Sequence, residues 1–376
     1  MFLPSATTPA LYTGAPQTPD LPDLMQKITQ VFARNQLSNN GPEVQALEAE
    51  IAAWAGVKHC IAVANATLGL LFALKALDLQ GEVVLPAFTF PATANVLPWL
   101  NLKPVFVDVD PLHHNMTAAA VEAALTPQTA AILGVQIWGY MEHVEGLRNR
   151  ANRQGIPLIM DAAHALGCGN QQQRPAGSHG RVEVFSLHAT KFIHGLEGGL
   201  ICTSDTALAE GIRAWIQFGY REGQVQQPGL NAKMNEISAA VARHNWQHRV
   251  ELTAHHQRIY EAYQRALQGI AGLRLYQHLA GSNYQYVVLE VLSDFGPDAN
   301  AVQQHLQTHG IYSKRYFEPL HHSPAYRSLR TPPLPVTERL GQQVLVLPGG
   351  QQMDVSQVER VCEALLALGT GEGVRG

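Results

Sequence analysis

The chain has 376 residues, with 26 Lys and Arg against 30 Asp and Glu, a formal net charge of −4 and 46% apolar residues. A nucleic-acid binder or anionic-membrane binder would present a basic face, so no nucleic acid and no membrane is expected as a partner; the apolar content excludes intrinsic disorder. The length exceeds one compact unit of ~100–200 residues, so a large and a smaller domain are expected.

The first 35 residues read as a Pro-rich arm with a short helix near Leu24–Phe32. Pro42 sits early in a helical pattern carrying Val44, Leu47, Ile51 and Trp54 until Gly56 stops it. Cys60–Val63 is a short apolar strand, and Asn65-Ala66-Thr67 opens a helix with Leu68, Leu71, Phe72 and Leu74 on its buried side. The units then alternate. Strands are expected at Glu82–Leu85, Val105–Val109, Ala130–Val135, Leu158–Met160 (ending on Asp161), Val182–Leu187 and Leu200–Thr203. Helices are expected at Thr93–Leu100, Thr117–Leu125 and Glu142–Gln154 between them.

Seven or so strands, most separated by helices, predict an α/β fold: a mostly parallel seven-stranded sheet covered by helices on both faces. Near residue 210 the alternation gives way to long helical patterns, Thr206–Phe218 and Asn235–Leu267. After Gly272 the pattern is α+β: Leu273–Tyr276, Tyr284–Leu292, a helix opening at Pro297-Asp298, and a last helix Val355–Leu368. The predicted division is an arm over 1–35, a large domain over 36–250 and a small α+β domain over 251–376. Gln171-Gln172-Gln173 reads as a loop.

No run of ~18 apolar residues marks a membrane helix, and Met1 to Pro19 lacks the basic flank and apolar stretch of a signal peptide. Cys60, Cys168, Cys202 and Cys362 contain no pair close in sequence, so neither a disulfide framework nor a zinc motif is expected. A reducing cytoplasm is the simplest reading. Charged residues make up 15% of the chain, against ~25% in ordinary soluble domains. A surface so poor in charge suits an oligomer that buries part of it.

Lys191 stands in Phe185-Ser-Leu-His-Ala-Thr-Lys-Phe-Ile-His-Gly-Leu-Glu-Gly-Gly199, just past an apolar strand. It is either a surface lysine on a loop or a desolvated amine able to form a Schiff base. Asp161 ends a strand, where open α/β sheets bind ligands. It is either a helix cap or a carboxylate that keeps a pyridine nitrogen protonated. His164 is a polar wall residue or lies against a ring. Asn65-Ala66-Thr67 is an ordinary cap or an anion site, to which Ser186 could add a hydroxyl. Phe90 packs a core or offers a face to a planar group.

Seventeen histidines call for a metal check. His244 with His248 and His305 with His309 could each share a helix face, but neither pair has an obvious third ligand. The adjacent pairs His113-His114, His255-His256 and His321-His322 are expected to point different ways. No metal is expected.

Taken in order, these segments resemble the DegT/StrS family of pyridoxal-phosphate sugar aminotransferases, of the aspartate aminotransferase (type I) fold. The likeness covers about residues 35 to 350. It rests on Gly41-Pro42-Glu43, Leu47-Glu48, Asn65-Ala-Thr67, Pro86-Ala-Phe-Thr-Phe-Pro-Ala-Thr-Ala-Asn95, Pro104-Val-Phe-Val-Asp-Val-Asp110, Asp161-Ala-Ala-His164, Ser186-Leu-His-Ala-Thr-Lys191, Glu197-Gly-Gly199, Asn231-Ala-Lys-Met-Asn-Glu236 and Pro319-Leu-His321.

By that resemblance Lys191 matches the lysine that binds pyridoxal 5'-phosphate, and Asp161 the partner of the ring nitrogen. His164 matches the residue beside the ring and its oxygen. Phe90 matches the stacking aromatic, with Phe88 as second choice. Ala66, Thr67 and Ser186 match phosphate contacts. Asn231 matches a residue that reaches the phosphate of a neighbouring subunit, which implies a homodimer with shared sites. Asn65, Lys233 and Asn235 depart from the commonest family residues (Ser or Gly, Arg, and Asp), so pairing near the subunit seam can differ here.

The implied reaction moves an amino group from L-glutamate or glutamine to a nucleotide-linked ketosugar, by resemblance dTDP-4-keto-6-deoxyglucose, with the nucleotide held by the Lys314–His322 stretch and the partner subunit. A C3-acting sugar aminotransferase, a sugar dehydratase of the same fold and a regulatory, non-catalytic homologue are the alternatives. The family's dehydrating branch carries His where Lys191 stands.

Overall fold

The computed structural model describes residues 9–369. Residues 1–8 of the predicted arm and 370–376 of the predicted small domain lie outside the described residues.

The large sheet has seven strands: β1 (His59–Val63), β2 (Glu82–Pro86), β3 (Lys103–Val107), β4 (Thr129–Val135), β5 (Leu158–Asp161), β6 (Val182–Ser186) and β7 (Gly199–Thr203). They lie in the order β1-β7-β6-β5-β4-β2-β3. Strands β3, β2, β4, β5 and β6 run parallel to one another, and β7 runs antiparallel to both β6 and β1. This is the mostly parallel α/β sheet predicted from the alternation.

The central strands are nearly continuous apolar runs because helices cover both faces. Ile61, Leu85, Leu133, Ile159 and Ile201 pack on one face with helices Ala66–Ala76, Pro91–Trp99 and Thr206–Trp215. The opposite face meets helices Pro42–Ala55 and Glu236–Gln247 through Cys60, Phe185 and Leu200, and helix Val144–Gln154 through Ile132 and Met160.

The predicted strand Val105–Val109 lies instead at Lys103–Val107. Pro104 is tolerated there because β3 is the edge of the sheet. Asp108 is drawn out of the strand: its carboxylate accepts the Val336 and Thr337 amides of a distant helix.

The predicted helix Asn235–Leu267 is two helices, Glu236–Gln247 and Arg249–Leu267, broken at His248 (φ −95°, ψ 10°). Each half serves a different core. Ala239, Ala242 and Trp246 pack under the large sheet. Ile259, Tyr260 and Tyr263 pack in a second core with Leu289, Leu345 and Leu365.

That second core covers an antiparallel sheet of β8 (Leu273–Leu275), β9 (Val287–Val291), β10 (Lys314–Arg315) and β11 (Val344–Leu347), ordered β8-β9-β11-β10. The predicted strand Tyr284–Leu292 starts only at Val287. Tyr284 has φ +50° and the Asn283 side chain takes the Gln285 amide, so the chain turns first. The arm is not free of this unit: Leu11–Tyr12 pairs in parallel with Ile311–Tyr312, and Leu11 is buried in the second core. The arm's helix, Leu21–Ala33, is longer than expected.

The four cysteines are buried free thiols. Among the described residues no helix is long and apolar enough to cross a membrane.

Candidate active site

Strands β2, β4, β5, β6 and β1 end on the same side of the sheet, as the pairings of β7 with β6 and β1 require. The Asn65-Ala66-Thr67 turn follows β1 and the Ala87–Phe90 loop follows β2. Asp161 and Ser186 are the last residues of β5 and β6. Ligands of open α/β sheets bind outside such strand ends, and here the ends border a cleft of about 270 Å³.

Seven of the sequence-predicted residues line this cleft: Ala66, Thr67, Phe90, Asp161, His164, Ser186 and Lys191. Asn231 does not. It lies in an exposed segment, where its side-chain oxygen accepts from Lys233 Nζ at 2.7 Å. Of the two aromatic candidates, Phe90 is 56% exposed at the cleft, whereas Phe88 is fully buried against Phe317.

Helix Ala66–Ala76 begins at the floor of the cleft. Asn65 caps it by accepting the Leu68 amide at 2.9 Å, so the residue that departs from the family pattern still serves as a cap. β7 starts against this helix end: a Cβ on Gly199 would stand 2.7 Å from Ala66 N. Glycine is therefore required for the close approach. The free end of the helix favours an anion. Asn235, another departure, caps its own helix by accepting the Ser238 amide.

Asp161 is buried, and burial pushes its carboxyl up from the usual value. Three contacts oppose this: the Thr93 hydroxyl donates to Oδ2 at 2.8 Å, the Ala163 amide donates to Oδ1 at 3.1 Å, and the Lys191 charge is near. A buried carboxylate held in this way suits a cationic N–H partner.

Lys191 follows β6 on a turn closed by its amide to His188 O. Its amine donates to the Tyr286 hydroxyl at 3.0 Å. Burial lowers it to about 8, although Tyr316 and Asp161 act in the opposite direction. A lysine near neutrality is a nucleophile and a proton carrier. His164 accepts the Trp138 amide on Nδ1 at 3.3 Å, and burial pushes its pKa down, so it is a neutral ring.

Sequence reasoning missed Thr93 and Tyr286. Thr93 sits in a helix whose pattern marked it only as a helix residue. Tyr286 comes from a segment 95 residues beyond Lys191, where no local spacing reports their proximity. From the predicted Lys314–His322 stretch, Lys314, Tyr316 and Phe317 line the cleft, and His321 and His322 do not.

The expectation that His321 and His322 point different ways is corrected. They lie on one tight turn, their rings 4.1 Å apart and both directed at Glu338.

A partly buried amine, a buried strand-end carboxylate and a helix start that attracts anions face one cleft. The model of the DegT/DnrJ/EryC1/StrS aminotransferase family matches residues 21–366, and the chain belongs to that family. It is an aminotransferase. It is 34% identical over 337 residues to the erythromycin biosynthesis sensory transduction protein EryC1 of Saccharopolyspora erythraea, covering 87% of this chain and 90% of that one. It is 31% identical over 359 residues to the dTDP-4-amino-4,6-dideoxy-D-glucose transaminase of Escherichia coli, covering 93% and 96%. The solved structure of DesI in the presence of its TDP-sugar product superposes with a TM-score of 0.93 at 37% identity, covering 98% of this chain and 95% of that one.

Proposed function

We propose that the protein is a pyridoxal 5'-phosphate-dependent aminotransferase that moves an amino group from L-glutamate or glutamine to a nucleotide-linked ketosugar. The acceptor in this reading is dTDP-4-keto-6-deoxyglucose, and the product a dTDP-4-amino-4,6-dideoxy sugar. The observation that carries it is the Lys191 amine, lowered to about 8, in one cleft with the buried Asp161 carboxylate. The sugar rests on likeness to a transaminase named for dTDP-4-amino-4,6-dideoxy-D-glucose and to a structure described with its TDP-sugar product.

The donor set fits the cofactor. The start of helix Ala66–Ala76, with Thr67 and Ser186, would hold the phosphate. Asp161 would keep a proton on the ring nitrogen, exchanging an isolated buried charge for a paired one. Phe90 would cover one face of the ring, and the neutral His164 would sit beside it. Bound there, the cofactor supplies an electron sink for a carbanion next to nitrogen.

The chain's own residues do the rest. Lys191 Nζ, freed as an amine, takes the proton from the α-carbon of the donor amino acid. In the second half of the reaction it works in reverse and delivers a proton to the sugar carbon that gains nitrogen. Tyr286 keeps that amine in place. Asn231 does not reach its own cleft, and its role is proposed across a homodimer, toward the phosphate of the second copy. In this reading residues 36–250 form the cofactor domain and 251–376 the smaller domain, and the protein works in the cytoplasm.

The test is to load the protein with cofactor, add glutamate, and assay the released keto acid and the amination of dTDP-4-keto-6-deoxyglucose. Release of keto acid with amination supports the reading. Loss of water from the sugar without keto acid release would make it a dehydratase. Amination of only a 3-keto sugar would move the reaction to C3. Binding without turnover would make it the regulatory homologue.

A further inference from the structure

The turn Leu320–His322 and the helix Pro335–Gln343 bring three ligand-type atoms together outside the cleft. His321 Nε2 is 3.4 Å and His322 Nε2 3.7 Å from the same oxygen, Glu338 Oε1. Both separations exceed the ~2.7–3.2 Å of a normal N–H···O hydrogen bond. Bonds of ~2.0–2.1 Å in tetrahedral geometry put ligand atoms roughly 3.3–3.4 Å apart across a shared ion; the His321 separation matches this and the His322 separation, at 3.7 Å, is slightly wider. Among the described residues, this is the one group of three His, Cys, Asp or Glu whose ligand atoms converge.

Both elements are fixed from behind. The turn closes on itself through the His322 amide to Pro319 O, and Leu320 N is tied to Ala87 O at 3.1 Å. The helix start is gripped by Asp108, which accepts the Val336 and Thr337 amides at 3.0 and 2.8 Å and the Thr337 hydroxyl at 2.7 Å. Glu338 is the next residue. His321 is nearly buried, while His322 and Glu338 keep one side open to solvent. Such a site needs little rearrangement to accept an ion and leaves room for a water ligand.

We propose that His321, His322 and Glu338 bind one borderline divalent transition ion of the Zn²⁺ class, which clamps this turn to the helix. Two imidazole nitrogens and one carboxylate oxygen suit such an ion better than Mg²⁺ or Ca²⁺. None of the three residues lines the cleft, so the ion is structural. It stiffens the segment that follows Tyr316 and Phe317, which do line the cleft. The proposal is independent of the sugar named above.

The test is a Zn²⁺ titration of the chelator-treated full-length protein by calorimetry, with bound metal counted by elemental analysis. His322→Ala and Glu338→Gln are the test variants, chosen because both side chains are partly exposed. His248→Ala is the control at a separate histidine pair. The expected result is one ion per chain in wild type and in His248→Ala. In both test variants affinity should fall by more than the ~10–100-fold that loss of an outer-shell partner costs. Added Zn²⁺ should raise the melting temperature of wild type and not of the test variants. Circular dichroism of the variants without metal confirms that they fold. The proposal is overturned if His322→Ala and Glu338→Gln bind as wild type does, if only His248→Ala loses the ion, or if wild type takes up no Zn²⁺ at micromolar concentration.

Discussion

The Lys191 amine is hydrogen-bonded at 3.0 Å to the Tyr286 hydroxyl, so the lysine after the large sheet's β6 is held by the residue just before β9 of the smaller sheet. The Tyr286 ring is itself packed against His164 at 4.4 Å and Trp138 at 5.2 Å. Burial pushes its phenol pKa up, so it stays neutral: it accepts from the ammonium form of Lys191 and donates to the amine form. Tyr286→Phe keeps the ring and removes this bond. Losing a hydrogen bond to a charged group costs roughly 1.5–3 kcal/mol, which corresponds to a fall in kcat of about tenfold or more. KM for the sugar should change little. Steady-state kinetics check this, and an unchanged kcat refutes the role.

The pH dependence of Lys191 has a defined sign. Its pKa is lowered to about 8 from 10.5. The apoprotein amine is therefore protonated and unreactive below pH 8 and nucleophilic above it. The rate of cofactor attachment should rise through pH 8 and level off, whereas an ordinary lysine would still be gaining at pH ~10. Between pH 8 and 10.5 the unfolded chain holds more protons at this residue than the folded one. Its contribution to stability therefore increases with pH across that window. Stopped-flow absorbance of the apoprotein mixed with cofactor reads the midpoint.

Thr93→Val removes the donor to Asp161 Oδ2 with little change in shape. The carboxylate loses one of its three opposing contacts, and its pKa rises further. A charge-assisted bond of roughly 1.5–3 kcal/mol translates into cofactor affinity weakened about 10–100-fold. Equilibrium dialysis with the cofactor measures it, and wild-type affinity in the variant contradicts the account of Asp161.

Asn231 lies outside its own cleft, and the proposal places its action in a second copy. Lys191→Ala and Asn231→Ala should each be inactive alone. In a co-expressed mixture, a mixed dimer carries one site with an intact lysine and an intact asparagine, so activity should return to roughly a quarter of wild type. If Asn231 acted within its own chain, mixing would restore nothing.

Much of this site was legible in the sequence because its residues follow apolar strands. A short apolar run announces a buried strand. The parallel arrangement then places whatever ends it, as Asp161 ends β5 and Ser186 ends β6, at the ligand-binding edge. Tyr286 and Thr93 carried no such mark, since their importance comes from contacts 95 and 68 residues away along the chain. The break at His248 was invisible for another reason: the helical periodicity runs through it, and only the presence of two separate cores divides it. β11, Val344–Leu347, is four apolar residues long and shows no period. The convergence of His321 and His322 depends on a 3-10 turn (Leu320–His322), whose backbone a sequence pattern does not report.

The central claim is that Lys191 Nζ is the atom that holds the cofactor. The direct measurement is borohydride reduction of the cofactor-loaded protein, followed by peptide mapping in a mass spectrometer. The account predicts a single modified peptide with the label on Lys191, and an absorbance band near ~420 nm, as a lysine-bound cofactor gives, that is absent from Lys191→Ala. A label on any other lysine, or a band that survives in Lys191→Ala, would contradict it.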